Sequence, residues 1–438
     1  MIKKFTCKNF RNINAENLSF ERINILIGPN NSGKTNFIKA LSFYSDMLRN
    51  AQNGSLKTAF LNAVSRNGWE HAHNKYTAKE RPIEFSWEID MNGEPVCYKF
   101  AYSVGNTIED CNIVFEELNS ENLLQEPYPD KFNFFRCHED GIGTGFFSTA
   151  IKKGQKNRRL PFELNSKEIL SMQFKDILLK NKKIYGSELI RGNIANLLYD
   201  LEEFFDGFSV YTSAQFDTKK MREPVEIRSI DNVLTDDASN FTNVFNNYKA
   251  KNIAWQERFE EKMKELIPNL KKADVVNLYE KLIFRMQYEG EQYDLSDVSE
   301  GTLKGLILNM LINMNCSPNR TLLAIDEPEN NLHPAWQKVV GNWIQTTDTF
   351  QQCFVSTHSP DFLDVFTEEF KNGKVAVFVF DNSIENTIKK ILYDDIGDEL
   401  GEWELGDLYR TNIRPENVAN KCTRYFKDTY LNLRNFKS

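Results

Sequence analysis

The spacing of apolar residues changes several times along this chain, and each change predicts a different element. Near the start, Lys4-Phe5-Thr6-Cys7-Lys8-Asn9-Phe10 alternates polar and apolar, which predicts strands over Ile2 to Phe20. Ile23-Asn24-Ile25-Leu26-Ile27 is a short apolar run suited to a buried strand, and Asn36 to Leu41 carries apolar residues at helical spacing. That helix is expected from about Lys34 to Leu48, before the polar run Asn50 to Ser55. From Pro82 to Leu118 the period drops to two. Ile83-Glu84-Phe85-Ser86-Trp87-Glu88-Ile89 alternates, Asn92-Gly93 supplies a hairpin turn, and runs over Val96 to Val104 and Ile108 to Leu118 complete an antiparallel meander.

Between Asn119 and about Asp200 the pattern loosens. Gly141-Ile142-Gly143-Thr144-Gly145 has no strand–helix frame around it and reads as a flexible loop, while Ser166 to Phe205 shows helical spacing. A helix over Trp255 to Leu266 stops near Pro268, a strand follows over Leu282 to Tyr288, and a helical tail is expected around Trp403 to Tyr409. There is no internal repeat and no long heptad array. These elements predict an α/β protein with an antiparallel β arm and a mainly helical insertion. Its segments are 1–118, 119–205 and 206–438.

The first apolar strand leads into Gly28-Pro29-Asn30-Asn31-Ser32-Gly33-Lys34-Thr35, which satisfies G-x-x-x-x-G-K-[ST] at every fixed position. Strand, glycine loop and helix together predict a phosphate cradle over Asn30, Asn31, Ser32, Gly33, Lys34, Thr35 and Asn36. Curled backbone N–H groups and the helix N-terminus would face the phosphates. Lys34 would reach the β- and γ-phosphates and the Thr35 hydroxyl would bind Mg²⁺. ATP and Mg²⁺ are the expected cofactors.

Thr321-Leu322-Leu323-Ala324-Ile325-Asp326-Glu327 is an apolar strand that ends in two acids and is stopped by Pro328. Beside a phosphate cradle, Asp326 would hold the Mg²⁺ shell and Glu327 would orient or deprotonate the attacking water. A second strand, Gln352-Cys353-Phe354-Val355-Ser356, runs into Thr357-His358-Ser359-Pro360, which sets His358 to register the γ-phosphate. Ser299-Glu300-Gly301 opens an apolar helix, where a hydroxyl, backbone N–H groups and the helix dipole make an anion site. Alone it would be an ordinary N-cap; its place 27 residues before Asp326 makes it informative.

Composition bounds the class. Apolar residues make up 41% and charged residues 26% of 438, as in a globular protein. No apolar run reaches the length of a membrane span, the start lacks a signal-peptide pattern, and seven scattered cysteines include no C-x-x-C. A cytoplasmic location is expected. Net charge is −8, yet Ile151 to Arg191 holds eleven Lys and Arg against four acids, leaving −15 for the rest. That basic stretch (Lys152, Lys153, Lys156, Arg158, Arg159, Lys180, Lys182, Lys183) is a candidate docking surface for an acidic protein or nucleic acid.

Taken in order, GPNNSGKT, SEGTLKG, LLAIDEPENNLHP and FVSTHSPDF resemble the ABC-type ATPases of the SMC, RecF and OLD group, in the branch often linked to bacterial phage defence. Lys8-Asn9-Phe10-Arg11 and Leu234 to Asn240 resemble the same branch. The resemblance implies an ABC-type P-loop ATPase fold and a composite site, in which Ser299 and Gly301 of one subunit close on ATP held by the P-loop of another. It thus implies at least a homodimer. It also puts Asn331 near the dimer seam, makes Gln215 a metal-sensing glutamine, and matches Arg222 to a recurring Arg-x-Pro without assigning it a role.

The 265 residues from Lys34 to Ser299 exceed a transporter ATPase and lack the heptad arms of a chromosome-scale SMC protein. The 80 residues after His358 are too few for an OLD-type nuclease domain, and Asp394, Asp395, Asp398 and Glu399 read as a solvated loop. The resulting expectation is a regulatory ATPase of a defence system, without nuclease activity of its own, that controls a separate effector. A RecF-like DNA maintenance ATPase is the alternative.

Overall fold

A computed structural model describes residues 1–52, 56–120, 132–136, 143–149, 158–164, 167–169, 171, 173, 188–314, 320–381, 388–393 and 404–410. The chain divides into two compact units. The first contains Met1–Glu21, Pro29–Phe208 and Phe380–Lys390; the second contains Arg22–Gly28, Ser209–Val379 and Ile391–Ser438.

The first unit is built on a six-stranded sheet, in the order Ile13–Ser19, Ile2–Phe10, Ile83–Met91, Glu94–Ser103, Asn112–Ser120, Phe132–Arg136. Strict alternation over Ile83–Met91 buries Ile83, Phe85, Trp87 and Ile89 and turns Glu84 outward, as a sheet covered on one face requires. The P-loop helix (Lys34–Leu41) covers that face, with Phe37 edge-on to Phe5 at 5.7 Å. Phe43, in the helix Phe43–Gln52, stacks on Phe85 at 5.1 Å and on Tyr102 at 5.3 Å. The single helix expected to Leu48 thus has a hitch at Ser42, across which the backbone ladder continues through Ser42 N–H to Ile38 O and Asp46 N–H to Ser42 O. The indole of Trp87 donates to Leu41 O at 3.1 Å and ties the hitch to the sheet.

The insertion is more mixed than its spacing suggests. It contributes the strands Phe132–Arg136, Gly143–Thr149 and Arg158–Leu164 before the helix Glu188–Asp206. Gly143 to Gly145, read from sequence as loop, pairs antiparallel with Phe162 to Leu164. Ladder hydrogen bonds to a partner strand outweigh the weak strand preference of glycine there. Of the basic stretch, Arg158 and Arg159 lie on this hairpin, and Lys152, Lys153, Lys156, Lys180, Lys182 and Lys183 lie outside the described residues. The acidic cluster from Asp394 to Glu399 does too.

The second unit centres on parallel strands in the order Leu322–Asp326, Gln352–Ser356, Ile23–Ile27, Val375–Phe380. All are buried along their length, which is why they read as mainly apolar runs without alternation. Register aligns Asp326 with Ser356 and Ser356 with Leu26, so the strands end together. Ligands of open α/β sheets bind at such carboxyl ends. Helices Ile253–Leu266, Glu300–Asn313 and Pro334–Thr346 belong to the same unit, as does an antiparallel sheet containing Lys272–Leu278 and Lys281–Gln287. Among the described residues, no helix is long and apolar enough to cross a membrane.

Candidate functional site

The phosphate cradle begins where the strand Ile23–Ile27 ends. Positive φ at Gly28 (147°), Asn31 (66°) and Gly33 (105°) curls the loop before the helix starts at Lys34. A Cβ on Gly33 would stand 2.7 Å from Ile13 Cδ1 and 2.9 Å from Asn12 Nδ2, so both space and conformation demand glycine. Lys34 is only 5% exposed, and its ammonium arches back to donate to Pro29 O at 3.0 Å. The Ser32 hydroxyl is buried with no hydrogen-bond partner among the described residues. It is a donor left over for a ligand oxygen. Asn30 and Asn31 are exposed and Thr35 is half-buried.

Sequence reasoning noticed Arg11 and included Asn36 without seeing that they meet. Arg11 donates to Asn36 Oδ1 at 2.7 Å and also to Asn67 O, while Asn36 donates to Asn12 Oδ1 at 2.7 Å. Asn12 in turn donates to Asn31 O at 3.3 Å. This chain of bonds fastens the loop and its helix to the turn between the first two strands. The guanidinium's pKa is lowered by burial.

The carboxylates lie at the strand ends of the second unit. Asp326 is buried and accepts from the Ser356 hydroxyl. Glu327 has φ 52°, a turn position costly for a residue with a side chain, and its N–H donates to Ser356 O and Oγ at 3.2 and 3.1 Å. The two strand ends meet in a contact that the sequence did not anticipate: His358 Nε2 lies 3.3 Å from Glu327 Oε1. Asn330 donates to Glu327 Oε2 at 2.6 Å, so each carboxylate oxygen has a neighbour.

Glu329, which sequence reasoning passed over, supports this pair from below. It is 5% exposed and accepts from Thr357 Oγ1 at 2.7 Å and from the His358 N–H at 2.8 Å. Its other oxygen is buried with no partner among the described residues, and burial raises its pKa. The acid two places before it gave no signal to separate the two roles.

Ser299 caps the helix Glu300–Asn313, accepting from Thr302 N–H at 3.2 Å. Gly301 packs so closely that a Cβ would lie 3.1 Å from Asn331 O, and Asn331 donates to Glu300 Oε1 at 3.2 Å. The exposed Asn331 therefore joins the loop after the acids to the Ser-x-Gly turn. Lys304 of the same helix is buried, with its ammonium 3.2 Å from Asn330 O and 3.5 Å from Ser213 Oγ. Burial lowers its pKa. Ser213 starts the short turn that ends in Gln215, which is exposed. Arg222 receives a role that its sequence pattern left open. Its Nη1 donates to Leu295 O, Ser296 O and Val298 O at 2.8, 3.0 and 2.8 Å, bracing the approach to Ser299.

The donor set of the loop fits the phosphates of a nucleotide. The cradle of Gly33, the orphaned Ser32 hydroxyl and the folded-back Lys34 suit phosphate oxygens.

Among solved structures, the chain is similar to the SMC head bound to the C-winged helix domain of ScpA. The identity is 14%, covering 90% of this chain and 98% of that one, with a TM-score of 0.48. For the SMC head domain from Thermotoga maritima the identity is 12%, with 89% and 98% covered and a TM-score of 0.40. No curated protein sequence matches. The family model that matches spans residues 23–364, from the strand before the cradle to the helix after His358. The chain belongs to the family described as "AAA domain, putative AbiEii toxin, Type IV TA system".

Proposed function

We propose that this protein is an ATPase that closes on ATP as a homodimer and acts as the regulatory subunit of a bacterial anti-phage system, governing a separate effector. The observation that carries the hydrolytic part is Glu327, held between His358 Nε2 at 3.3 Å and Asn330 Nδ2 at 2.6 Å at a strand end. A carboxylate so fixed keeps lone pairs free to take a proton from water. Bound Mg²⁺ would neutralise phosphate charge, with Thr35, Asp326 and Gln215 as its protein ligands. Lys34 and the loop N–H groups would orient the triphosphate, and Ser299 with Gly301 would complete the cradle of a second copy.

The description of the family, which names a toxin and a toxin–antitoxin system, supports a chain that works with a partner rather than alone. Glu327→Gln tests the reading directly. The variant should bind ATP, accumulate as an ATP-dependent dimer in light scattering, and turn over about 10²–10⁴-fold more slowly. Unchanged turnover would remove Glu327 as the base. The purified wild-type chain, incubated with ATP, Mg²⁺ or Mn²⁺ and DNA, should leave the DNA intact. Cleavage that follows the protein through further purification would overturn the regulatory assignment.

A further inference from the structure

Beyond the pair formed by Glu327 and His358, the second unit contains a short helix, Leu405–Arg410, that is fastened by several contacts. It lies on the helix Pro360–Asp364, which begins two residues after His358. Gly406 N–H donates to Asp364 Oδ1 at 2.6 Å, and a Cβ on Gly406 would overlap that carboxylate and the carbonyl of Pro360. Arg410 bonds Asp361 at 2.7 Å and Asp364 at 3.4 Å, Leu405 N–H donates to Thr367 Oγ1 at 3.0 Å, and Leu405 and Leu408 are buried. The helix therefore has one seat. From it, Tyr409 places its hydroxyl 3.4 Å from His358 Nδ1.

We propose that Tyr409 and Glu329 are positioning residues for His358, Tyr409 selecting the imidazole tautomer and Glu329 anchoring the histidine backbone, so that Nε2–H is presented to Glu327. The proposal rests on the reading of Glu327 as the base. A neutral imidazole has one donor and one acceptor nitrogen, and the partner of one nitrogen decides the role of the other. With Tyr409 O–H donating to Nδ1, the proton sits on Nε2 and points at Glu327 Oε1, 3.3 Å away. Glu329 Oε1 takes the His358 N–H and the Thr357 hydroxyl together, which removes the freedom of the loop that carries the ring. Movement of the helix Leu405–Arg410 would then change the orientation of His358 without any contact to nucleotide. The seat of this helix thus becomes a point where an effector could act on turnover.

Nitrogen-15 spectra of histidine-labelled full-length protein at pH 8, with His358→Gln to assign the signal, read the tautomer apart from activity. Wild type should show His358 as the Nε2–H tautomer. Tyr409→Phe should mix the tautomers and lower kcat about 3- to 10-fold, the effect of losing one neutral hydrogen bond, with KM little changed. Gly406→Ala, which keeps the hydroxyl but displaces its helix, should shift the same signal. Glu329→Gln keeps an acceptor and should preserve the wild-type signal, whereas Glu329→Ala should broaden or move it. An unaltered His358 signal in both Tyr409→Phe and Gly406→Ala refutes the proposal, whatever happens to turnover. A wild-type protein with the predicted tautomer but no ATP turnover would instead defeat the reading of Glu327 and leave the positioning intact.

Discussion

Arg222→Ala probes the least obvious part of the site. One guanidinium nitrogen serves three carbonyls at 2.8 to 3.0 Å, of Leu295, Ser296 and Val298. That nitrogen has two hydrogens, so two bonds are well formed and the third is shared. Charge-assisted bonds contribute about 1.5–3 kcal/mol each when shielded. Arg222 is half-buried and water can replace it on the more exposed carbonyl, so a total near ~1–2 kcal/mol is expected. Urea unfolding should show that loss at unchanged slope. Val298 immediately precedes Ser299, so the freed turn should misplace the helix cap, and ATP turnover should fall more than nucleotide affinity. Arg222→Lys should recover only part of both, because an ammonium lacks the planar fork. Wild-type stability together with wild-type turnover would refute the bracing role. An equal loss of affinity and turnover would mean that Arg222 acts beyond the Ser299 turn.

The remaining tests address the subunit arrangement and one buried acid. Ser299→Arg and Lys34→Ala should each be inactive alone, Lys34→Ala by losing nucleotide binding. When the two are mixed under conditions of subunit exchange, a fraction of the ATPase activity should return; full activity in Ser299→Arg alone would sink the composite-site reading. Glu329, with its pKa raised by burial, keeps its proton in the folded state over a range where the unfolded chain has lost it. Its contribution to stability therefore declines as pH rises from the ordinary glutamate pKa to the elevated folded one. Glu329→Gln should flatten that decline in urea titrations run between pH 4 and pH 8, and an identical pH dependence in the two proteins would contradict it.

Much of the architecture is local, and local features are what a sequence carries. Alternation over Ile83–Met91 specifies a half-buried strand, and short, mainly apolar runs at Ile23–Ile27, Leu322–Asp326 and Gln352–Ser356 specify strands covered on both faces. Gly33 is legible for the same reason: a backbone at φ 105°, crowded by Ile13 and Asn12, accepts nothing larger. Asp326, Glu327 and His358 are legible because a strand end places whatever follows it.

Other features depend on residues far apart in the chain, and no local pattern encodes them. Gly143–Thr149 is a strand only because Arg158–Leu164 pairs with it. Arg11 meets Asn36 across 25 positions, Arg222 meets Leu295 across 73, and Tyr409 meets His358 across 51. Arginine, asparagine and tyrosine are unremarkable at the surface, and each acquires its role from the acceptor that folding brings to it. Sequence alone determined the phosphate loop, the strand ends that carry the acids and the histidine, and the strand and helix periods, since backbone conformation and burial period act over a few residues. Tertiary structure alone decided that Glu327 sits half-buried beside His358, that Glu329 is buried against Thr357 and the His358 N–H, and which side chains hold them in those roles. Those roles depend on desolvation and on hydrogen-bond partners that exist only once distant segments have packed together.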